Sequence, residues 1–101
     1  MEINFEYKDV TVSDLLELYT IEKLNDLDKK YNFLISADVY FKTENTTSDE
    51  TGLICGIRIY GNGITFFAES NKDNFENAVS ETVHQLEPQL KKKKSKLLSH
   101  Y

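Results

Sequence analysis

Lys91, Lys92, Lys93, Lys94 and Lys96 set five ammonium groups close together near the C-terminus, with no carboxylate beyond Glu87. The chemistry open to such a cluster is the attraction of anions, phosphates above all. Successive helix residues turn by about 100°, so four consecutive lysines point all round the axis and cannot all form the outer face of a packed helix. That end is expected to stand in solvent or against something negative; a solubilising tail is the alternative use. Other reactive constellations are missing. His84 and His100 are isolated, no Cys and His spacing suits zinc, and no Gly-rich phosphate loop or Ser-His-Asp pattern is present. Asp26 and Asp28 lie two apart on a helix and do not converge as a carboxylate dyad. Neither catalysis nor a metal nor a cofactor is expected, and Cys55, in an apolar alternating run, reads as a small buried side chain.

The formal net charge of −5 conceals a strong polarity. All 17 acidic residues and 7 of the 12 Lys and Arg fall within residues 1–90, a net −10, and the other 5 Lys fall in 91–101 with no acid. With a Debye length of about 8 Å, such a tip can touch phosphates while distant carboxylates are mostly screened.

The lysines end a segment, from Asp73 to the C-terminus, whose apolar residues Phe75, Val79, Val83, Leu86 and Leu90 recur at helical spacing. Asp73 with Glu76 offers its N-terminal cap. Pro88 lacks an amide donor and crowds the His84 carbonyl, so a kink, or a break and restart, is expected there. Upstream, residues 2–8 alternate, Ile3, Phe5 and Tyr7 against Glu2, Asn4, Glu6 and Lys8, as in a strand with one wet face. Thr11 with Asp14 predicts a cap for a first helix from Val12 to Lys30, with Val12, Leu16, Leu24, Leu27 and Tyr31 as its stripe. A second strand spans Phe33 to Thr43, with Ile35, Ala37, Val39 and Phe41 inward. After the polar loop Glu44 to Thr51 come a strand over Leu53 to Tyr60, a tight turn at Gly61-Asn62-Gly63, and a strand over Ile64 to Ala68 that Ser70 to Asp73 closes.

The order β-α-β-β-β-α predicts an α+β fold of two layers: a four-stranded mixed sheet with both helices on one face and the other face open. The strand, helix, strand start implies a crossover to a parallel neighbour. One domain is expected over residues 1–101, with 91–101 a basic tip. The N-terminus shows no signal peptide and no stretch is apolar enough to span a membrane, so a cytoplasmic location is expected.

The element order, the polar hairpin loop, and Asn74-Phe75-Glu76-Asn77-Ala78-Val79 followed by Leu86-Glu87-Pro88-Gln89-Leu90-Lys91-Lys92 resemble the ribosome hibernation-promoting factor family, also called ribosome-associated inhibitors or sigma factor modulation proteins. The resemblance spans nearly the whole chain. It implies a fold like a double-stranded RNA-binding domain and binding to the small ribosomal subunit between head and body, where members occupy the decoding channel of idle ribosomes. It also implies rRNA contacts from basic residues of both helices. Lys23 and Lys29 match in the first helix and Lys92 in the last. Asp26, Gln85 and Pro88 stand where the family commonly has basic residues. Lys30, Lys91, Lys93, Lys94 and Lys96 supply charge nearby and complete the candidate rRNA-binding set. Neither the extra C-terminal domain of long members nor an oligomer is expected, so the reading is of a short-form monomer.

Lysines at the ends of two helices can meet phosphates and position a protein without reading sequence. Lys23, Lys29 and Lys30 also read as ordinary surface lysines among Glu22, Asp26 and Asp28. A different reading is a protein-interaction module whose open sheet face presents Tyr40, Tyr60 and Phe67.

Overall fold

A computed structural model describes residues 1–98. Its elements are β1 (Glu2–Lys8), α1 (Asp14–Lys30), β2 (Leu34–Thr43), β3 (Leu53–Gly61), β4 (Ile64–Lys72) and α2 (Phe75–Leu98). The strands lie in sequence order, β1 parallel to β2 and the remaining pairs antiparallel, which makes the expected mixed sheet. Alternate residues Ala37, Val39, Phe41, Cys55, Ile57, Ile59, Phe66 and Ala68 face the helices and join Leu16, Leu24, Leu27, Ala78, Val79, Leu86 and Leu90 in one core. Phe41 is its largest fully buried side chain. Its ring centroid lies 5.4 Å from that of Tyr7 and 5.3 Å from that of Phe75, so the edge strand and the start of α2 are packed through one residue.

Polar pairs set how the layers sit. Tyr7 donates to Glu17 at 2.9 Å and the Met1 ammonium meets Asp28 at 3.1 Å, pinning β1 against both halves of α1. Burial first, and then the Glu17 carboxylate, push the Tyr7 phenol up to about 12. Between the helices Tyr19 and Ser80 share a 2.6 Å hydrogen bond. The buried Thr82 hydroxyl reaches the Cys55 carbonyl at 3.1 Å and the Ala78 carbonyl at 2.7 Å, so burying it strands no donor.

Several boundaries differ from the sequence expectation. Helix α1 begins at Asp14 and is capped by Ser13, not Thr11: Ser13 has extended φ and ψ, and its hydroxyl accepts from the Leu16 amide at 3.2 Å. Val12 therefore precedes the helix and is exposed rather than part of the stripe. Strand β2 carries a register irregularity between Leu34 and Ser36 that leaves Ile35 exposed while Leu34 and Ala37 are buried. Strand β4 continues past Ala68 to Lys72 because β3 begins at Leu53 and its ladder extends over Ser70, Asn71 and Lys72. A polar sequence does not end a strand whose neighbour still offers partners.

At the start of α2 the side chain of Asn74, not Asp73, accepts the Asn77 amide at 2.7 Å. Asp73 instead holds the Asn77 side chain at 2.9 Å. The helix then runs unbroken through Pro88, so of the kink or break expected there the break does not occur. Pro88 and His84 are both exposed, so water can satisfy the carbonyl the proline leaves without a donor, while Leu86 and Leu90, fully buried, hold the chain on either side. The hairpin turn is Asn62-Gly63 with φ of 52° and 74°, the left-handed pair that two-residue hairpins require. His100 and the end of the basic tip, residues 99–101, lie outside the described residues.

Candidate nucleic-acid interface

The C-terminal end of α1 meets the second half of α2, and this brings two groups of lysines into one region. Lys30 Nζ lies 2.9 Å from Glu87 Oε1. Lys94 donates to the Lys30 carbonyl at 3.1 Å and its ammonium sits 5.6 Å from the centre of the Tyr31 ring. A cation there meets the unsatisfied carbonyls and the negative end of the α1 dipole, which orients the start of the tip without burying it. Lys29, Lys30, Lys91 and Lys94 line a concavity of about 510 Å³ with Tyr31 and Glu87.

The rest of the tip faces the other way. Lys92, Lys93 and Lys96 line a second concavity of about 330 Å³ together with Ile64, Thr65, Phe66 and Gln89. Gln89 ties this side of α2 to the sheet by donating to the Phe67 carbonyl at 3.0 Å. The helical turn of about 100° per residue accounts for the split: Lys91 and Lys94 share one side, and Lys92, Lys93 and Lys96 the other. Lys23 stands apart from both groups. It is half-buried, with its ammonium 5.4 Å from the Tyr19 ring centre.

One acidic group sits among these cations. Burial by itself would raise the Glu87 carboxyl, but the Tyr31 hydroxyl, Lys30 and Lys91 outweigh it and hold the group below its ordinary 4.5. Burial and the facing Glu87 carboxylate push Tyr31 the opposite way, up to about 12. Sequence reasoning did not single out Glu87. Its spacing of four from Lys91 was a visible signal, whereas its pairing with Lys30 is a tertiary contact.

The opposite face of the sheet is largely self-paired. Tyr40 lies across Gly56, where a Cβ would collide with its ring, and its hydroxyl donates to Glu69. Lys42 stands 3.7 Å from that carboxylate and 5.5 Å from the Tyr40 ring centre. The Arg58 guanidinium covers Phe67 at 5.4 Å, and Asn4 donates to Asp38 at 3.2 Å. Tyr40 and Tyr60 are half-buried, so Tyr40, Tyr60 and Phe67 do not form one exposed aromatic cluster. Among the described residues no three His, Cys, Asp or Glu side chains converge as metal ligands, and no helix is long and apolar enough to cross a membrane.

Two solved structures share this architecture. A ribosomal subunit interface protein from Coxiella burnetii superposes with a TM-score of 0.78 at 23% identity, covering 94% of this chain and 99% of that one. The N-terminal domain of Thermus thermophilus Protein Y does so with a TM-score of 0.75 at 20% identity, covering 91% and 98%. No curated protein matches the chain. The likeness extends to the sequence itself, for residues 3–98 match the family described as Sigma 54 modulation protein / S30EA ribosomal protein, and the chain belongs to that family of ribosome-associated proteins.

Proposed function

We propose that the chain is a translation inhibitor that binds rRNA of the small ribosomal subunit in the decoding channel and keeps idle ribosomes from taking mRNA and tRNA. The observation that carries the reading is the arrangement of lysines on both sides of the exposed end of α2, with Lys29 and Lys30 of α1 alongside. Seven ammonium groups spread over two separate concavities suit two phosphate tracks rather than a single small anion. Such contacts hold structured RNA by shape and charge, which suits a protein that must seat in one channel without reading bases. The location in the decoding channel rests on the family resemblance. The chain acts as a monomer in the cytoplasm in this reading, and Lys23 contributes at the margin of the contact, since its ammonium is turned toward Tyr19.

A chemical footprint of the purified protein on isolated small subunits tests it. Protection clustered at the neck and decoding channel is the expected result, with a matching loss of initiation in a purified translation assay. Protection elsewhere, or none at low salt, would sink the reading.

A further inference from the structure

The outer stripe of α1 carries a feature that neither the core nor the lysine cluster uses. Opposite its buried residues Leu16, Thr20, Leu24 and Leu27, the helix presents Leu15, Leu18, Glu22 and Asp26, all exposed. Leu15 is 80% exposed, the most of any large apolar side chain described, Leu18 is 63% exposed, and Val12, just ahead of the Ser13 cap, is 60% exposed. Asp14 and Glu22 flank these side chains and take part in no ion pair among the described residues. The one base on this part of the helix, Lys23, is turned toward Tyr19, which is itself bonded to Ser80 of α2. The patch is therefore apolar with an acidic rim.

We propose that this face docks a basic protein segment bearing apolar side chains, displayed on the small ribosomal subunit; the inference rests on the ribosome-binding reading above. Charge selects the partner. Phosphates would be repelled by Asp14 and Glu22, which argues against RNA as the occupant of this end. A second copy fits no better, because two-fold pairing would bring the same carboxylates of both chains together. Three apolar side chains also fall far short of the roughly 1,200 Å² that a stable dimer buries. A basic segment neutralises the rim while its apolar residues cover Leu15 and Leu18. Leu15 and Lys29 are separated by about 21 Å along the helix at 1.5 Å per residue, more than twice a Debye length of about 8 Å. The two ends of α1 can therefore hold partners of opposite charge, protein at the start and RNA at the finish.

Photo-crosslinking decides the matter. The full chain, with a benzophenone side chain in place of Leu15, is bound to isolated small subunits and irradiated, with co-sedimentation followed in parallel. A covalent adduct to a basic ribosomal protein is expected. The Leu15→Ser, Leu18→Ser double variant should bind about 3- to 10-fold more weakly, with an unchanged salt slope and a melting temperature only slightly lowered, because these side chains lie outside the core and serine costs only some helix propensity. Co-sedimentation with crosslinks to rRNA, with no crosslink, or with full affinity in the double variant overturns this inference and leaves the ribosome reading standing. Absence of co-sedimentation by the natural chain overturns both.

Discussion

Lys30 of α1 and Glu87 of α2 face each other at 2.9 Å, the one ion pair that joins the two helices among the described residues. It places a carboxylate inside the lysine-lined end, where a bound phosphate would compete for the same cations. Removing that carboxylate as Glu87→Gln should strengthen binding to small subunits severalfold. It should also steepen the dependence of log affinity on log salt by about 0.7 to 0.9, the value of one more released cation. A filter-binding series from low to moderate salt reads both.

The same pair has a pH signature. Glu87 has a folded pKa below its ordinary 4.5, so its contribution to stability is complete above about pH 4.5 and is lost as the pH falls through the lowered value. Lys30 is 60% exposed on its side chain, and screening keeps the contribution below about 1 kcal/mol. The melting temperatures of the natural chain and of Glu87→Gln should therefore differ slightly at pH 7 and converge toward pH 3. A gap that widened on acidification would contradict the assignment.

The split of the tip gives a sharper experiment than neutralising it whole. Lys91→Gln with Lys94→Gln removes charge on the α1 side, and Lys92→Gln with Lys93→Gln removes it on the side of the β3–β4 hairpin. If both sides meet phosphates, each double variant lowers the salt slope by about 1.4 to 1.8, and the quadruple variant lowers it by their sum. If a single side touches RNA, one pair leaves the slope unchanged. Stability should hardly move, since these side chains lie beyond the last core residue, Leu90.

Gly56→Ala should act on the opposite face. The new methyl group occupies the space of the Tyr40 ring and must swing it away from Glu69. Tyr40 is raised above the ordinary 10.0 first by burial and then by Glu69, so its phenolate should form at lower pH in the variant. A spectrophotometric titration checks this, and loss of the hydrogen bond should cost about 1 kcal/mol in a urea melt. Binding to small subunits should stay as it was.

Pro88→Ala should stabilise the chain by about 1 to 2 kcal/mol. It restores a helical hydrogen bond and removes the clash with the preceding turn, against a smaller loss of unfolded-state restriction. Chemical denaturation measures it. A decrease in stability would mean that the helix depends on the proline's geometry.

The sequence by itself determined the order and type of every element, because a period of two or of about 3.6 in apolar residues is a local property and the burial pattern follows it. It also determined the polarity of charge, since four consecutive lysines followed by Lys96 cannot fold back into a core this small. Boundaries were less legible where a partner strand decides. Ser70 to Lys72 read as a closing turn yet belong to β4, because β3 supplies their hydrogen bonds. Pro88 read as a kink or a break, and buried Leu86 and Leu90 on either side carry the helix through it without a break. At the candidate site the tertiary structure alone decided which lysines share a surface. Residues 30 and 87 meet only when both helices lie on one sheet face, and that packing also left Leu15 and Leu18 without a partner, since the core took the opposite stripe of α1.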